Sequence, residues 1–166
     1  MSDIDVRLAT TQDLPVLASL MLASNEFYWG KSCEAAGMTA ASAGAIIDGR
    51  SGCKAVIAWI DGSPIAFATI SLLHPARNEY GTLFMKDLFV LEAARGSGVG
   101  KRVMLYLAQM AHQLGCKRFD WTAELDNPDA ISFYRALGAD RVEEKVYFRF
   151  GEAALGRLAK EGFNRR

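Results

Sequence analysis

The chain has 166 residues, 51% of them hydrophobic and 23% charged, a balance that suits one globular domain and excludes a disordered chain. Its 19 basic and 19 acidic residues cancel, so no whole-protein field argues for nucleic acid or an anionic membrane, and any phosphate must be gripped locally. No apolar run approaches the roughly 18 residues of a membrane span, and the opening Met-Ser-Asp lacks the basic and apolar regions of a secretory signal. Cys33, Cys53 and Cys116 are widely spaced and contain no CxxC pair, which fits a reducing cytoplasm better than a disulfide framework or a zinc site. His74 and His112 stand alone, so no metal is expected.

Ile4 to Leu8 reads as a short strand. Thr11 to Asp13 supply caps for a helix whose apolar positions Leu14, Leu17, Ala18, Met21 and Leu22 follow helical spacing. Residues 23 to 37 mix aromatics and glycine without either period and read as loop, and Thr39 to Ile47 as a second short helix. Lys54 to Ile60, then Asp61-Gly62, then Pro64 to Leu72 predict a hairpin, because Asp-Gly between two β-rich runs is a strong turn signal. His74 to Gly81 is polar and carries Pro75, so it reads as loop, and Leu83 to Leu91 reads as a buried strand. From Val99 the positions Val103, Leu107, Met110, Ala111 and Leu114 predict a helix that Gly115 stops. Arg118 to Leu125 alternates strictly, the pattern of a half-buried strand. Asn127-Pro128 opens another helix, with Asn as cap and Pro at the first helical position, and Gly138 closes it. Arg141 to Phe150 reads as a last strand and Ala153 to Lys160 as a short helix. One α/β domain with a mixed sheet, spanning residues 1–166, follows from this alternation.

Residues 95 to 100 read RGSGVG and run straight into Lys101 and Arg102. Glycine inside regular structure costs roughly 0.5 to 1 kcal/mol, so this cluster marks either a tight turn or backbone laid bare for a ligand. It lies between the strand that ends near Leu91 and the helix from Val99, where unpaired N–H groups and the helix dipole favour a phosphate. A Walker loop fails, since Arg95 stands where the first glycine belongs and Arg102 follows Lys101. A dinucleotide GxGxxG fails too, because Lys101 and Val103 occupy the last position of its two possible registers. What remains is Arg-x-x-Gly-x-Gly, formed by Arg95, Gly98 and Gly100.

With the run LFMKDLFVLEAARGSGVG before it and GCKRFDWTAELDNPDAISFYRALGA after it, this pattern resembles the GNAT superfamily of acyl-CoA N-acyltransferases. The likeness follows element order over residues 3 to 158 and is specific from residue 83 onward. Within the superfamily, residues 83 to 150 most resemble the diamine and polyamine acetyltransferase branch. The resemblance implies an α/β fold, a mixed and mostly antiparallel twisted sheet of about six to seven strands flanked by about four to five helices. It also implies acetyl-CoA as co-substrate. Backbone groups of Leu88, Phe89 and Val90 would bond the pantetheine arm, and the N–H groups of Gly96, Ser97, Gly98, Val99, Gly100 and Lys101 would cradle the pyrophosphate. Arg95 and Lys101 would add charge there. Asn127 matches the residue that reaches the cofactor arm, and an N-cap ahead of proline explains it equally well.

Tyr134 matches the residue that protonates the leaving thiolate; a phenol of pKa about 10 keeps its proton at neutral pH for that purpose. The plainer alternative is that Phe133 and Tyr134 are core aromatics of an amphipathic helix. Asp87 is the candidate base or amine-binding group, its alternative an exposed carboxylate paired with Lys86 or Arg77. The branch carries an acidic pair where this chain has Lys86-Asp87, and Lys86 would attract a carboxylate on the acceptor. Glu26 in the segment NEFYWG would line the acceptor site, with Glu124 and Asp126 as weaker candidates. The expected enzyme is a cytoplasmic N-acetyltransferase for a primary amine of a small molecule. Amino-acid, aminoglycoside and protein N-terminal acceptors, and a coenzyme A sensor without turnover, stay open. So does a homodimer, which family members often form through the C-terminal strand and for which VYFRF would offer an edge.

Overall fold

The computed structural model describes residues 3–30, 33–74 and 80–163, and these divide into two compact units, residues 1–126 and 127–166. In the first unit, β1 (Ile4–Leu8), β2 (Lys54–Ile60), β3 (Ser63–Leu73), β4 (Thr82–Val90) and β5 (Arg118–Trp121) form one sheet in that order. The first four strands are antiparallel, and β5 joins β4 in parallel. Asp61 and Gly62, with φ of 48° and 77°, make the β2–β3 turn that the Asp-Gly pair predicts.

Helices α1 (Leu14–Trp29) and α2 (Cys33–Ile47) cover one face of the sheet. Leu17 and Leu20 of α1 and Ala43 of α2 pack there with Ala55, Ile57, Phe67 and Phe89. Strand alternation turns Val56, Ala58, Ala66, Ala68 and Ile70 to the opposite face, the side on which α3 (Val99–Gln113) buries Val99, Val103, Leu107 and Ala111. Ahead of α1, Arg7 grips Asp13 with two hydrogen bonds of 2.7 and 2.8 Å. The N–H and hydroxyl of Thr10 both donate to the same carboxylate at 2.8 Å. The Arg7 hydrogen bonds, and then the Thr10 donors, hold the Asp13 carboxyl well below the usual range although burial opposes them.

Three sequence expectations are corrected here. Residues 23 to 37 are not loop, because α1 continues to Trp29 and α2 starts at Cys33. Gly30, with φ of 80°, ends α1, whereas Gly37 lies inside α2, where tertiary packing overrides its poor helix propensity. The expected strand from Arg118 to Leu125 stops at Trp121, and the sheet has five strands among the described residues rather than six or seven.

The second unit holds α4 (Pro128–Ala136) and α5 (Glu152–Phe163). Asn127 caps α4, its side-chain oxygen accepting from the Ala130 N–H at 3.1 Å, and Gly138 follows with φ of 87°. Arg141 to Phe150 does not form the expected strand; it joins no ladder among the described residues and leaves Val146, Tyr147, Phe148 and Phe150 exposed. Sequence alternation supplies a strand's two faces, but it cannot supply the neighbour that makes a strand.

Candidate functional site

The site is built around an irregularity in β4. Thr69 pairs with Asp87 while the next residue of β3, Ile70, pairs with Met85, which leaves Lys86 as an extra residue on β4. Such a bulge bends the strand and breaks local pairing. The parallel ladder to β5 ends at that point, with Met85 opposite Trp121. Beyond the bulge β4 keeps β3 on one side and, among the described residues, has no ladder on the other.

The hydrogen bond from Leu91 N–H to the Ile65 carbonyl, 2.9 Å long, sets the alternation along this stretch. Bonding and non-bonding pairs alternate in an antiparallel ladder. Phe89 therefore spends its backbone groups on Phe67, and those of Leu88 and Val90 point to the edge that β5 has left. Of the three residues expected to bond a pantetheine arm, Leu88 and Val90 turn their backbone groups away from β3. Phe89 instead contributes a side chain that is 4% exposed within the core.

This open edge runs through a short turn, Glu92–Ala94, into the glycine-rich loop. Gly96 and Gly98 have φ of 76° and 88°, and space is open where a Cβ would stand on either. Left-handed backbone is the reason for glycine at both positions, whereas Gly100 lies within α3. Gly98 is the N-cap of α3 and no side chain caps it. The first helical bond runs from Arg102 N–H to the Gly98 carbonyl, so the N–H groups of Val99, Gly100 and Lys101 have no partner within the helix. Ser97 does not compete for them, because its hydroxyl donates to the Ala94 carbonyl at 2.6 Å. Uncapped donors, the positive end of α3 and the exposed Lys101 make a seat for an anion such as a diphosphate.

On the face that α1 and α2 cover, Asp87 stands two residues before Phe89. Its Oδ2 accepts from the Thr69 hydroxyl at 2.6 Å, and the Lys86 ammonium lies 3.6 Å from its Oδ1. Thr69 is 3% exposed and the Asp87 side chain 48% exposed, so the carboxylate is anchored from within and open outward. Arg95 does not reach toward the α3 N-terminus. Its Nε donates to the Val90 carbonyl at 3.1 Å, and its guanidinium lies 4.2 Å from the Phe27 ring centroid and 5.8 Å from that of Phe89. Tyr28 completes the group, 5.0 Å from Phe27 and 6.5 Å from Phe89. Glu26 is half-buried on the last turn of α1, one residue before Phe27. Arg77 lies outside the described residues.

Thr69, Phe27 and Tyr28 went unmarked in the sequence. Leu17, Leu20 and Phe27 do carry a signal, since they share one helical face, but reading residues 23 to 37 as loop hid it. In the second unit, Tyr134 is half-buried on α4 with its ring 5.1 Å from Phe133, and the side-chain oxygen of Asn127 is committed to its cap. An apolar cavity of about 290 Å³ between α1, Pro64 and Leu91 contains none of the expected site residues. Among the described residues no cluster of three or more His, Cys, Asp or Glu side chains could hold a metal, and no helix is long and apolar enough to cross a membrane.

The profile of the Acetyltransferase (GNAT) family matches residues 17–139. Thialysine N-epsilon-acetyltransferase of Mus musculus is 31% identical over 85 residues, 46% of this chain and 47% of that protein. Aminoglycoside N(6')-acetyltransferase type 1 of Salmonella typhimurium is 27% identical over 96 residues, 56% of this chain and 66% of that protein. The chain thus spans between about half and two thirds of the length of these relatives. An integron cassette protein from the mobile metagenome of V. cholerae superposes with a TM-score of 0.88 at 34% identity, over 96% of this chain and 99% of that one. An aminoglycoside N-acetyltransferase in complex with CoA shares the fold, with a TM-score of 0.74 at 22% identity over 90% of this chain and 96% of that one.

Proposed function

Because the chain belongs to the GNAT acetyltransferase family, we propose that it is an acetyl-CoA-dependent N-acetyltransferase acting on a primary amine of a small molecule. One observation carries this reading: the unpaired edge of β4 at Leu88 and Val90 leads directly into the uncapped N-terminus of α3. A strand edge suits a chain of amides and a bare helix end suits a diphosphate. Coenzyme A has both, in that order along its length. The family match crosses both compact units, which supports reading residues 1–166 as one domain.

Acetyl-CoA supplies the acetyl group as a thioester when bound. Leu88 and Val90 hold the pantetheine arm through their backbone groups, Asn127 adds its amide to that arm, and the N–H groups from Gly96 to Lys101 hold the diphosphate. Val90 N–H polarises the thioester carbonyl. An alkyl amine of pKa about 10.4 is protonated at neutral pH and must lose a proton to attack. Asp87, held by Thr69, receives it directly or through water. Tyr134 donates a proton to the departing sulfur and recovers one from the second proton that the nitrogen sheds as the amide forms. Transfer is direct, within a ternary complex, and needs no metal.

A diamine or polyamine is the favoured acceptor, supported by the branch pattern from residue 83 onward, whereas the thialysine acetyltransferase relative is named for the side-chain amine of an amino acid. Lys86 beside Asp87 favours an amino acid as the second reading, because an ammonium at the bulge attracts a carboxylate and repels a second cation. Glu26 borders the acceptor side in either case. Cytoplasmic location fits the free thiols of Cys53 and Cys116, and the exposed apolar side chains from Val146 to Phe150 would suit a homodimer contact.

The test is acceptor-dependent thiol release from acetyl-CoA with putrescine, spermidine, lysine, other amino acids and an aminoglycoside, each against a control without amine. Release with one class identifies the enzyme and its acceptor. Tight acetyl-CoA binding with no release across the panel would replace the enzyme by a sensor.

A further inference from the structure

Arg95 joins the two halves of this site. Its Nε holds the Val90 carbonyl, 3.1 Å away, on the edge where a pantetheine amide would bond. Its guanidinium covers the ring of Phe27 at 4.2 Å. Phe27 is 51% exposed and meets Phe89 at 6.0 Å between centroids, so the pair offers an aromatic face on the same side of the sheet as Asp87. A ring face that attracts a guanidinium attracts an alkyl ammonium through the same quadrupole.

The hold on Arg95 is light. Among the described residues it has no ion-pair partner, only a stacking contact and one bond to a neutral carbonyl. A diphosphate at the α3 N-terminus would offer it charge-assisted, bidentate hydrogen bonds, which are stronger. A pantetheine amide would take over the Val90 carbonyl at the same time. Both changes favour moving the guanidinium off Phe27.

We propose that the Phe27–Phe89 face is a cation subsite for the acceptor, covered by Arg95 until coenzyme A draws that side chain to its diphosphate. The acceptor is then an amine with a second cationic group, the reacting nitrogen near Asp87 and the other over Phe27. Phe27 is the residue that sets this preference, since Phe89 is committed to the core. The inference rests on the N-acetyltransferase reading, and it favours an acceptor with two ammonium groups over a monoamine.

The experiment uses the full chain with a fluorine-labelled phenylalanine at position 27, followed by fluorine NMR, with calorimetry reporting coenzyme A binding separately. Saturating coenzyme A should shift the resonance toward its position in the Arg95→Ala protein, where coenzyme A should produce little further shift. Cadaverine added next should move it again, and pentylamine, one cation shorter, should not. An unmoved resonance with coenzyme A demonstrably bound overturns the role of Arg95. Equal responses to the two amines overturn the subsite. Failure of coenzyme A to bind removes the N-acetyltransferase reading itself, and this proposal with it.

Discussion

The hydroxyl of Thr69 reaches across the β3–β4 pair to Oδ2 of Asp87 at 2.6 Å, from a side chain that is itself buried. The bond fixes one oxygen of the carboxylate and leaves the other toward solvent and Lys86. If Asp87 takes the proton from the amine, Asp87→Asn should lower kcat/KM by about 100-fold or more. Thr69→Val should cost less, roughly 3- to 10-fold, by loosening orientation alone. Coenzyme A affinity measured by calorimetry should hold in both. Equal activity of Asp87→Asn and wild type would return Asp87 to the role of a surface carboxylate.

Tyr134→Phe keeps the ring against Phe133 and removes only the phenolic proton. Turnover should fall by about 100-fold with acetyl-CoA affinity nearly unchanged. Parallel loss of affinity and turnover would identify Tyr134 as packing.

The charge at the bulge should set acceptor preference. Lys86→Glu should raise the ratio of diamine to amino-acid turnover, by about tenfold for one removed and one added charge near the acceptor. Competition assays with mixed acceptors read the ratio directly. An unchanged ratio places Lys86 outside the acceptor site.

Gly98 combines left-handed backbone with the uncapped end of α3. Gly98→Ala should destabilise the fold by about 1–2 kcal/mol, because a Cβ disfavours that conformation. Coenzyme A affinity should weaken alongside it, as the N–H groups of Val99 and Gly100 shift. Denaturant midpoints and calorimetry test the two effects separately. Wild-type affinity in a destabilised Gly98→Ala protein would take the diphosphate away from this turn.

Asp13 makes a prediction about acid. Arg7 and Thr10 lower its folded pKa below the unfolded value of about 3.9. Its stabilising contribution is therefore complete above that value and lost as pH falls through the folded one. Asp13→Asn should cost about 1–2 kcal/mol at pH 7, tempered because the Arg7 side chain is 42% exposed. The gap from wild type should narrow in thermal melts taken progressively below about pH 4. A constant gap would show that the pair does not titrate with folding.

Local chemistry in the sequence was enough for the Asp61-Gly62 turn, the glycine loop and the Asn127 cap. In each, the residue type is demanded by its own backbone or by a donor three residues away. The end of α1 was less legible, because Phe27, Tyr28 and Trp29 break the simple stripe. Phe27 is held in place by Phe89 and Arg95, more than 60 positions away in sequence. Trp121 as the end of β5 was illegible for a similar reason, since the strand stops where its neighbour bends. For the site, the residue types and the loop could be read, but the Thr69 anchor and the placement of Arg95 over Phe27 are products of strand register and helix packing.

Lys86 has an effect larger than its own side chain. Met85 looks to the α3 face and Asp87 to the α1 face, although two residues along a strand should look the same way. The bulge absorbs that one supernumerary residue, so the acid, the core ring of Phe89 and the outward amides of Leu88 and Val90 keep the faces that the register with β3 gives them. Removing that residue would make Met85 and Asp87 adjacent neighbours on opposite faces, keeping every later orientation of β4 and losing only the bend at which the β5 ladder ends.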